Sequence, residues 1–199
     1  MEQPAPVTLE GKHVRLEPLG IQHLAGIVRA GQDESIWTWL SQRPSTREDF
    51  ERWLNDALKA QAAGIRLPFA TIERASGEVV GSTSFLAISP ENRRLEIGWT
   101  WLVPSAQRTP INTEAKYLQL RHCFETLGCV RVELKTDVRN TNSRRAIERI
   151  GAKYEGVMRK DMLTRGGFHR DSVYFAIIDD EWPEAKRRLE EMLRREPGT

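Results

Sequence analysis

The chain has 199 residues, of which 39% are hydrophobic and 29% are charged, and its formal net charge at pH 7 is only +2. This composition fits one folded domain and excludes a disordered chain and a strongly basic nucleic-acid binder. No apolar run approaches the roughly 20 residues of a transmembrane helix, and the N-terminus lacks a secretory signal pattern. We therefore expect one cytoplasmic domain over 1–199, frayed at 1–10 and 196–199.

Hydrophobic patterns predict the elements of the first half of the chain. Residues 13–18 alternate as a strand, and residues 21–29 have helical spacing. A second helix is predicted to begin at Ser45, with Glu48 completing a capping box. Three strands follow at 67–74, 78–88 and 93–103, and the first two form a hairpin around Ala75-Ser76-Gly77.

Helices and strands alternate in the predicted second half. A long helix from Thr109 to Leu127 comes first, and Arg165-Gly166-Gly167 is predicted to be a hairpin tip before the final strand. The other predicted elements are a strand at 130–136, a helix at 141–150, strands at 152–160 and 171–178, and a helix at 182–195. The resulting order, β–α–α–β–β–β–α–β–α–β–β–α, predicts a mixed α/β domain.

The start of the long predicted helix is a candidate anion site. Thr109 can cap this helix, and Pro110 fits its first position, where no hydrogen bond is lost. Free N–H groups and the helix dipole attract phosphate at such an end, and Gln107 and Arg108 can add side-chain donors. An ordinary helix start explains the same residues. The N–H groups expected to point outward are those of Ile111, Asn112 and Thr113.

A second polar turn follows the next predicted strand. Asn140 can cap the helix there, or it can hydrogen-bond an amide-rich ligand that runs between two strands. Ser143, one turn further on, offers a hydroxyl toward the same cleft. Because ligands favour the carboxyl ends of such strands, the two adjacent turns together predict an enzyme that uses a phosphate-bearing cofactor.

Glu96 lies in the middle of the strand that precedes the long helix. Strict alternation would place Leu95, Ile97, Trp99 and Trp101 on one face, and Glu96 on the other. A carboxylate there is a candidate general base with a pKa raised by partial burial. An ion pair with a neighbouring arginine or a cross-strand cation is the alternative.

The remaining reactive residue types predict little chemistry. No histidine pair has metal-ligand spacing, so no metal is expected. Cys123 and Cys129 are expected to be buried thiols. Trp37 and Trp39 fit core positions, although they could also line a substrate entrance.

Two segments carry a family resemblance that covers nearly the whole chain. They are LEIGWTWLVPSAQRTPINTEAKYLQLRHCFE, from Leu95, and TDVRNTNSRRAIERIGAKYEGVMRKD, from Thr136. With the element order, they resemble the GNAT superfamily of acyl-CoA N-acyltransferases, in the branch of the RimJ and RimL N-terminal acetyltransferases. The resemblance implies a single mixed, mostly antiparallel central sheet flanked by helices, and acyl transfer from acyl-CoA to an amine.

The resemblance also implies roles for individual residues. The pantetheine of acetyl-CoA, or of another acyl-CoA, would bond the backbone of Trp101, Leu102 and Val103, and the pyrophosphate would lie over residues 107–112. Asn140 matches an asparagine that contacts the cofactor. Glu96 would help to deprotonate the amine, and Ser143 would protonate the leaving thiolate. The expected partners are acyl-CoA and an amine acceptor, and this branch also allows a homodimer.

One departure from the family pattern concerns the pyrophosphate loop. The usual motif is Q/R-x-x-G-x-G/A, whereas this chain has Pro110 and Asn112 at the two small-residue positions. Pro110 removes one N–H donor, and Asn112 adds bulk where the backbone should approach the phosphate. The altered loop leaves open an acyl-CoA-binding sensor with little catalysis. A second alternative to an acetyltransferase is an enzyme that uses another donor such as succinyl-CoA.

Overall fold

The computed structural model describes residues 1–164 and 167–195 of the chain. Its strands are Leu9–Glu10 (β1), Val14–Pro18 (β2), Arg66–Glu73 (β3), Val79–Ser89 (β4), Arg94–Leu102 (β5), Arg131–Asp137 (β6), Lys153–Leu163 (β7) and His169–Ile178 (β8). Its α-helices are Leu24–Ala30 (α1), Arg47–Ala62 (α2), Pro110–Arg121 (α3), Thr141–Arg149 (α4) and Trp182–Arg194 (α5). A π-helical turn, His122–Thr126, extends α3.

The strands form one sheet in the order β1-β2-β3-β4-β5-β6-β8-β7. Every neighbouring pair is antiparallel except β5 and β6, which are parallel. A parallel pair needs a crossover, and α3 supplies it between β5 and β6. The predicted fold class, a mixed and mostly antiparallel sheet flanked by helices, is confirmed.

Helices cover both faces of this sheet. On one face, which we call the α2 face, Phe50 and Trp53 of α2 pack with Trp37 and with Trp101 of β5. The opposite face, the α3 face, carries the larger core. Its buried side chains include Phe69, Phe85, Leu95, Ile97 and Leu102 from the sheet, Leu118 from α3 and Leu189 from α5. Burial of each large apolar side chain contributes about 1.5–3 kcal/mol, so these two layers dominate the folding energy.

Several predicted boundaries are corrected by the structure. The cap of α2 is Thr46 rather than Ser45, and Asp49 rather than Glu48 completes the capping box. The Asp49 carboxylate accepts bonds from the backbone N–H groups of both Ser45 and Thr46, which a longer side chain at position 48 does not do. The Ala75-Ser76-Gly77 hairpin is confirmed, with Gly77 at φ +71°.

The chain ends differ in what the structure says of them. Leu9 and Glu10 pair with β2, and the amino group of Met1 donates to the carbonyl of Pro90, so residues 1–10 are more ordered than predicted. The predicted hairpin tip includes Arg165 and Gly166, which lie outside the described residues. Residues 196–199, predicted to be frayed, also lie outside them.

Strand β5 contains a bulge that the alternating pattern did not predict. Ser82 of β4 pairs with Trp101, but Ser84 pairs with Gly98, so that two residues of β5 face one residue of β4. Trp99 has φ +51°, an uncommon conformation for a non-glycine residue. The extra residue shifts the alternation beyond Trp99. The predicted placement of Ile97 and Trp101 on one face is therefore wrong, because Trp101 packs on the α2 face and Ile97 on the α3 face.

Strands β5 and β6 separate after a short paired stretch. Their ladder joins Arg94–Glu96 to Arg131–Glu133 and goes no further. Residues 97–102 of β5 and 134–137 of β6 therefore diverge, and a gap opens in the middle of the sheet at the ends of both strands. This gap positions the candidate site.

A buried carboxylate fixes helix α3 against the sheet. Glu114 is 6% exposed and accepts hydrogen bonds from three backbone N–H groups of the turn between β1 and β2. The donors are Lys12 at 2.8 Å, His13 at 2.6 Å and Val14 at 2.8 Å. Gly11 lies directly against this carboxylate, because a Cβ atom there would collide with it. The start of α3 is thereby held in place beside the gap.

Candidate active site

A cavity of about 1100 Å³ occupies the gap between β5 and β6 and continues to the start of α3. Ligand pockets usually have volumes of roughly 300–1,000 Å³, so this one suits a large, extended ligand. Most of the residues that the sequence singled out line it. They are Glu96, Trp101, Leu102, Gln107, Arg108, Thr109, Pro110, Asn112, Thr113, Asn140 and Ser143.

Two predicted cofactor residues do not line this cavity. Ile111 is 3% exposed and packs in the core of the α3 face, because its side chain points inward from the first turn of the helix. Val103 packs against the core, and its N–H group bonds the carbonyl of Val80 in β4. The backbone of Val103 is also engaged on both sides, because its N–H donates to Val80 and its carbonyl accepts from Ala106.

The start of α3 has the predicted cap but fewer free donors than predicted. Thr109 is the N-cap, and Pro110 occupies the first helical position. The Thr109 hydroxyl accepts the N–H of Ile111 at 3.3 Å and donates to the carbonyl of Ala106 at 2.8 Å. One of the three N–H groups expected to point outward is thus engaged. The Oδ1 atom of Asn112 is buried without a hydrogen-bond partner among the described residues, which leaves an acceptor for a donor group of a ligand.

Arginines from α4 bring positive charge to this helix start. Arg149 donates from Nη2 to the hydroxyl of Thr113 at 2.8 Å, so it reaches across to α3. Arg145, one turn earlier on α4, and Arg108 line the same cavity. These guanidinium groups suit a phosphate ligand, since arginine binds phosphate oxygens through paired N–H donors. Arg145 and Arg149 were not predicted as site residues, although their i, i+4 spacing places them on one side of α4.

The carboxyl end of β5 presents a backbone donor to the gap. The N–H of Val103 bonds the carbonyl of Val80 in β4. Successive N–H groups of a strand point alternately to its two sides. The N–H of Leu102 therefore faces away from β4, toward the space that β6 leaves open. The carbonyl of Leu102 accepts a bond from Gln107 Nε2 at 3.0 Å, which ties the following turn to the strand.

Glu96 lies at the point where β5 and β6 separate. Its side chain is 7% exposed, and Oε2 lies 3.4 Å from Lys135 Nζ of β6. Burial raises the pKa of Glu96, and the nearby Lys135 ammonium only partly opposes that effect. The geometry is compatible with both interpretations of Glu96. Its carboxylate is buried and has a raised pKa, which suits a general base. It also lies beside a cross-strand cation, Lys135. The arginine alternatives, Arg93 and Arg94, pair elsewhere, with Gly128 and Glu133.

Gly98 leaves room for the Glu96 carboxylate. A Cβ atom at position 98 would lie 2.7 Å from Glu96 Oε1 and 2.9 Å from Leu86 Cδ1, closer than real contacts allow. Both contacts are with the ends of flexible side chains. Glycine at this position therefore keeps the carboxylate where it is without being needed for the backbone conformation.

The turn after β6 is capped as the simpler interpretation predicted. Asn140 Oδ1 accepts the N–H of Ser143 at 3.1 Å at the start of α4. This cap engages the oxygen of the Asn140 side chain, while its amide nitrogen remains free to donate to a ligand in the cavity. Ser143 is half-buried and lines the same cavity.

Other residues of the cavity wall were not singled out from the sequence. Lys116 of α3 is 6% exposed, and Nζ donates to Thr83, Thr100 and Gln119 at 2.9–3.1 Å. Burial lowers the pKa of Lys116 to about 7. A lysine in a helical pattern predicts an exposed side chain, so no sequence signal marked it. Trp39 also lines the cavity, while Trp37 is buried in the core.

The described residues contain two buried thiols, but neither a cluster of metal ligands nor a helix suited to a membrane. In residues 1–164 and 167–195 no three His, Cys, Asp or Glu side chains converge as metal ligands. Across the same ranges, no helix has both the length and the apolar character that crossing a bilayer requires. Cys123 and Cys129 are buried free thiols, as predicted.

Comparison with known proteins identifies relatives of this chain. The family model described as "Acetyltransferase (GNAT) domain" matches residues 13–153. "Putative ribosomal N-acetyltransferase YdaF" of Bacillus subtilis (strain 168) is 29% identical over 168 residues, which cover 84% of this chain and 90% of that protein.

Solved structures show the same architecture. A GCN5-related N-acetyltransferase from Brucella melitensis superimposes with a TM-score of 0.91 at 38% identity, over 96% of this chain and 87% of that one. Mycobacterium smegmatis RimJ, whose structure is in complex with CoA-disulfide, superimposes with a TM-score of 0.81 at 24% identity, over 96% and 97% of the two chains.

Proposed function

The chain belongs to the GNAT family of N-acetyltransferases, and we propose that it transfers an acetyl group from acetyl-CoA to a primary amine by direct attack. The amine is a protein N-terminus or the amino group of a small molecule. The observation that carries this proposal is the gap between β5 and β6. It brings Glu96, the N–H of Leu102, Ser143 and the start of α3 to one cavity.

The residues around the cavity fit acetyl-CoA. Positive charge from Arg108, Arg145 and Arg149 lies at the end that α3 and α4 form, where a pyrophosphate would be held. The Asn140 amide can donate to the pantetheine, because only its oxygen is used in the helix cap. When bound, acetyl-CoA supplies an activated thioester. Family membership and a RimJ relative in complex with CoA-disulfide support the same cofactor.

Glu96 is the group that takes the proton of the acceptor amine. An ammonium group cannot attack a carbonyl, so a base must remove its proton before or during attack. The raised pKa of Glu96 makes its carboxylate a stronger base than an exposed glutamate. Lys135 holds the carboxylate in place from β6 and stays charged, because Glu96 raises the pKa of Lys135 against the effect of burial.

Two donors serve the other atoms that change charge. The N–H of Leu102 faces the gap and is placed to stabilise negative charge that develops on the carbonyl oxygen of the acetyl group. The hydroxyl of Ser143 donates a proton to the departing sulfur and takes one back from water. Both are polar groups on rigid elements, one on β5 and one in the first turn of α4.

The direct test measures binding and transfer separately. Calorimetry with CoA and acetyl-CoA should show one site, and a panel of peptide and small amines should show transfer that Glu96→Gln and Ser143→Ala slow. No binding by the wild-type protein would contradict the proposal. Binding without transfer to any amine would favour the sensor, and faster transfer from succinyl-CoA would identify the other donor.

Replacement of Arg149 by alanine should weaken the cofactor site. Pro110 supplies no N–H, and Ile111 N–H is engaged by Thr109, so side-chain charge has to supply much of the phosphate binding. A hydrogen bond to a charged group is worth about 1.5–3 kcal/mol, and we expect CoA affinity to fall by roughly tenfold or more. Calorimetry measures this. Arg188→Ala, an exposed arginine on α5, is the control and should bind CoA like the wild type.

Replacement of Gly98 by alanine should slow transfer through Glu96. The new Cβ would push the Glu96 carboxylate from its position, and a displacement of about 1 Å can cost up to roughly 100-fold in rate. We expect kcat to fall about tenfold, with the free energy of unfolding changed by less than about 1 kcal/mol, because only side-chain ends must move. In the Glu96→Gln background, Gly98→Ala should have little further effect on the rate. If it slows that variant by the same factor as the wild type, its effect does not act through Glu96.

A further inference from the structure

A buried arginine contacts the β5 bulge on the α2 face of the sheet. The guanidinium carbon of Arg66 lies 4.9 Å from the ring centre of Trp99 and 5.8 Å from that of Trp53. Arg66 Nε donates to the hydroxyl of Ser84 at 2.9 Å. Trp99 is one of the two bulged residues of β5, and Ser84 of β4 lies directly beside the bulge, so Arg66 joins both strands there.

A buried lysine contacts the same bulge from the α3 face. Lys116 Nζ donates to the hydroxyl of Thr100 at 2.9 Å and to that of Thr83 at 3.1 Å. The two hydroxyl oxygens are themselves 2.8 Å apart. Thr83 is the single residue of β4 that the two bulged residues face, and Thr100 is one of those two. Lys116 therefore joins helix α3 to both strands at the centre of the bulge.

The burial of these two basic side chains is costly for stability. Within the described ranges neither faces a carboxylate, and burial alone lowers the pKa of Arg66 to about 10 and that of Lys116 to about 7. Arg66 Nη2 also has no hydrogen-bond partner among the described residues. Apolar residues would fill such positions at lower cost. Trp99 adds strain of its own, and strained positions of this kind persist only where their surroundings hold them.

We propose that Arg66 and Lys116 are positioning residues that together hold the β5 bulge, and with it the cofactor gap, in the binding geometry. The bulge sets the direction of the strand that follows it, which carries the N–H of Leu102 toward β6. Neither side chain has to touch the reacting atoms. The proposal rests on the proposed function, because it takes the gap to be the acetyl-CoA site.

The test compares two charge-removing variants with two matched controls. Lys116→Met and Arg66→Met remove the contacts with little change of size, while Lys59→Met and Arg188→Met remove exposed side chains of the same types. We expect CoA affinity, measured by calorimetry, to fall about tenfold in each of the first two and to stay unchanged in the controls. Hydrogen exchange of the amides of residues 98–102 should rise in the same two variants.

A smaller substitution still tests the proposal if a methionine variant does not fold. Thr100→Val removes one acceptor of Lys116 and leaves the lysine in place. We expect it to weaken CoA binding in the wild-type background, and to add nothing in Lys116→Met if that variant folds. If Thr100→Val and every folded methionine variant bind CoA within about twofold of the wild type, the proposal is overturned. Failure of the wild-type protein to bind CoA would instead contradict the proposed function.

The pH dependence of stability tests the placement of Lys116 in solution. The unfolded chain holds the lysine proton up to about pH 10.4, whereas the folded protein releases it near pH 7. The stability of the wild type relative to Lys116→Met should therefore rise as the pH increases from about 7 to 10. The groups that contact Lys116 are two hydroxyls and one amide, which do not titrate in this range. A flat difference would overturn the placement on which the proposal depends.

Discussion

Glu96→Gln should lower kcat for acetyl transfer by about 100-fold or more, because a positioned general base contributes roughly 10²–10⁴ to a rate. Glutamine keeps the shape of the side chain and one acceptor oxygen but cannot take a proton. Affinity for CoA, measured by calorimetry, should stay within about twofold, since Glu96 lies at the far end of the gap from the arginines. A variant with wild-type kcat would contradict the assignment.

The pH profile of the same pair of enzymes gives a second reading of Glu96. The base must be deprotonated, so the wild-type rate should fall as the pH drops through the pKa of Glu96. Because burial raises that pKa, the fall should occur at higher pH than for an exposed glutamate. Ionisation of the acceptor amine affects both enzymes alike and cancels in the ratio of their rates. The ratio of wild-type to Glu96→Gln rates should therefore rise with pH and then level off.

Glu114→Ala should have the largest effect on stability, a loss of about 3–5 kcal/mol. Its carboxylate is the acceptor for the N–H groups of Lys12, His13 and Val14, and the substitution would leave all three without a partner. The bond from Val14 is buried and those from Lys12 and His13 are partly buried, and each buried group left unsatisfied costs about 1–3 kcal/mol. Since a typical domain is stable by only about 5–15 kcal/mol, denaturant unfolding should show a large shift in midpoint.

Two further variants serve as comparisons for the unfolding measurement on Glu114→Ala. Glu148→Ala, an exposed glutamate on α4, should change the free energy of unfolding by less than about 0.5 kcal/mol. Glu114→Gln should fall between the two, because an amide oxygen can still accept from the turn. A loss below about 1 kcal/mol in Glu114→Ala would show that the three hydrogen bonds do not anchor α3.

The order and type of the elements followed from the sequence because hydrophobic periodicity is a local signal. Predicted and observed strands agree within a few residues even at β5, where 93–103 became Arg94–Leu102. The faces on which the β5 side chains lie could not be predicted from the sequence, because the bulge depends on how β5 pairs with β4. The letters around Trp99 alternate without interruption, so nothing in them indicates that Trp101 lies on the opposite face from Ile97.

The candidate site was predictable where a polar residue stands in a strand or in the turn that follows one. Glu96, Asn140 and Ser143 come together in one cavity as the topology of two adjacent strands predicts. Buried polar side chains inside α3 were not predictable. Glu114 and Lys116 look like ordinary exposed helix residues in the sequence, and only the tertiary structure shows that each is surrounded by the acceptors or donors it needs.

Pro110 illustrates what the sequence could and could not decide. It begins the helix without breaking it, as predicted from the cap at Thr109. How the site makes up for the missing N–H depended on α4, which brings Arg149 to Thr113 across a distance in sequence of 36 residues. Such a contact between two helices leaves no local pattern.

A crystal structure of the protein with CoA tests the central claim most directly. The account predicts that the pantetheine lies between residues 97–102 of β5 and 134–137 of β6, with the Leu102 N–H facing it. The pyrophosphate should lie at the start of α3, in contact with the backbone N–H of Asn112 and with Arg149. CoA bound elsewhere, or strands β5 and β6 paired along their full length beside it, would contradict the account.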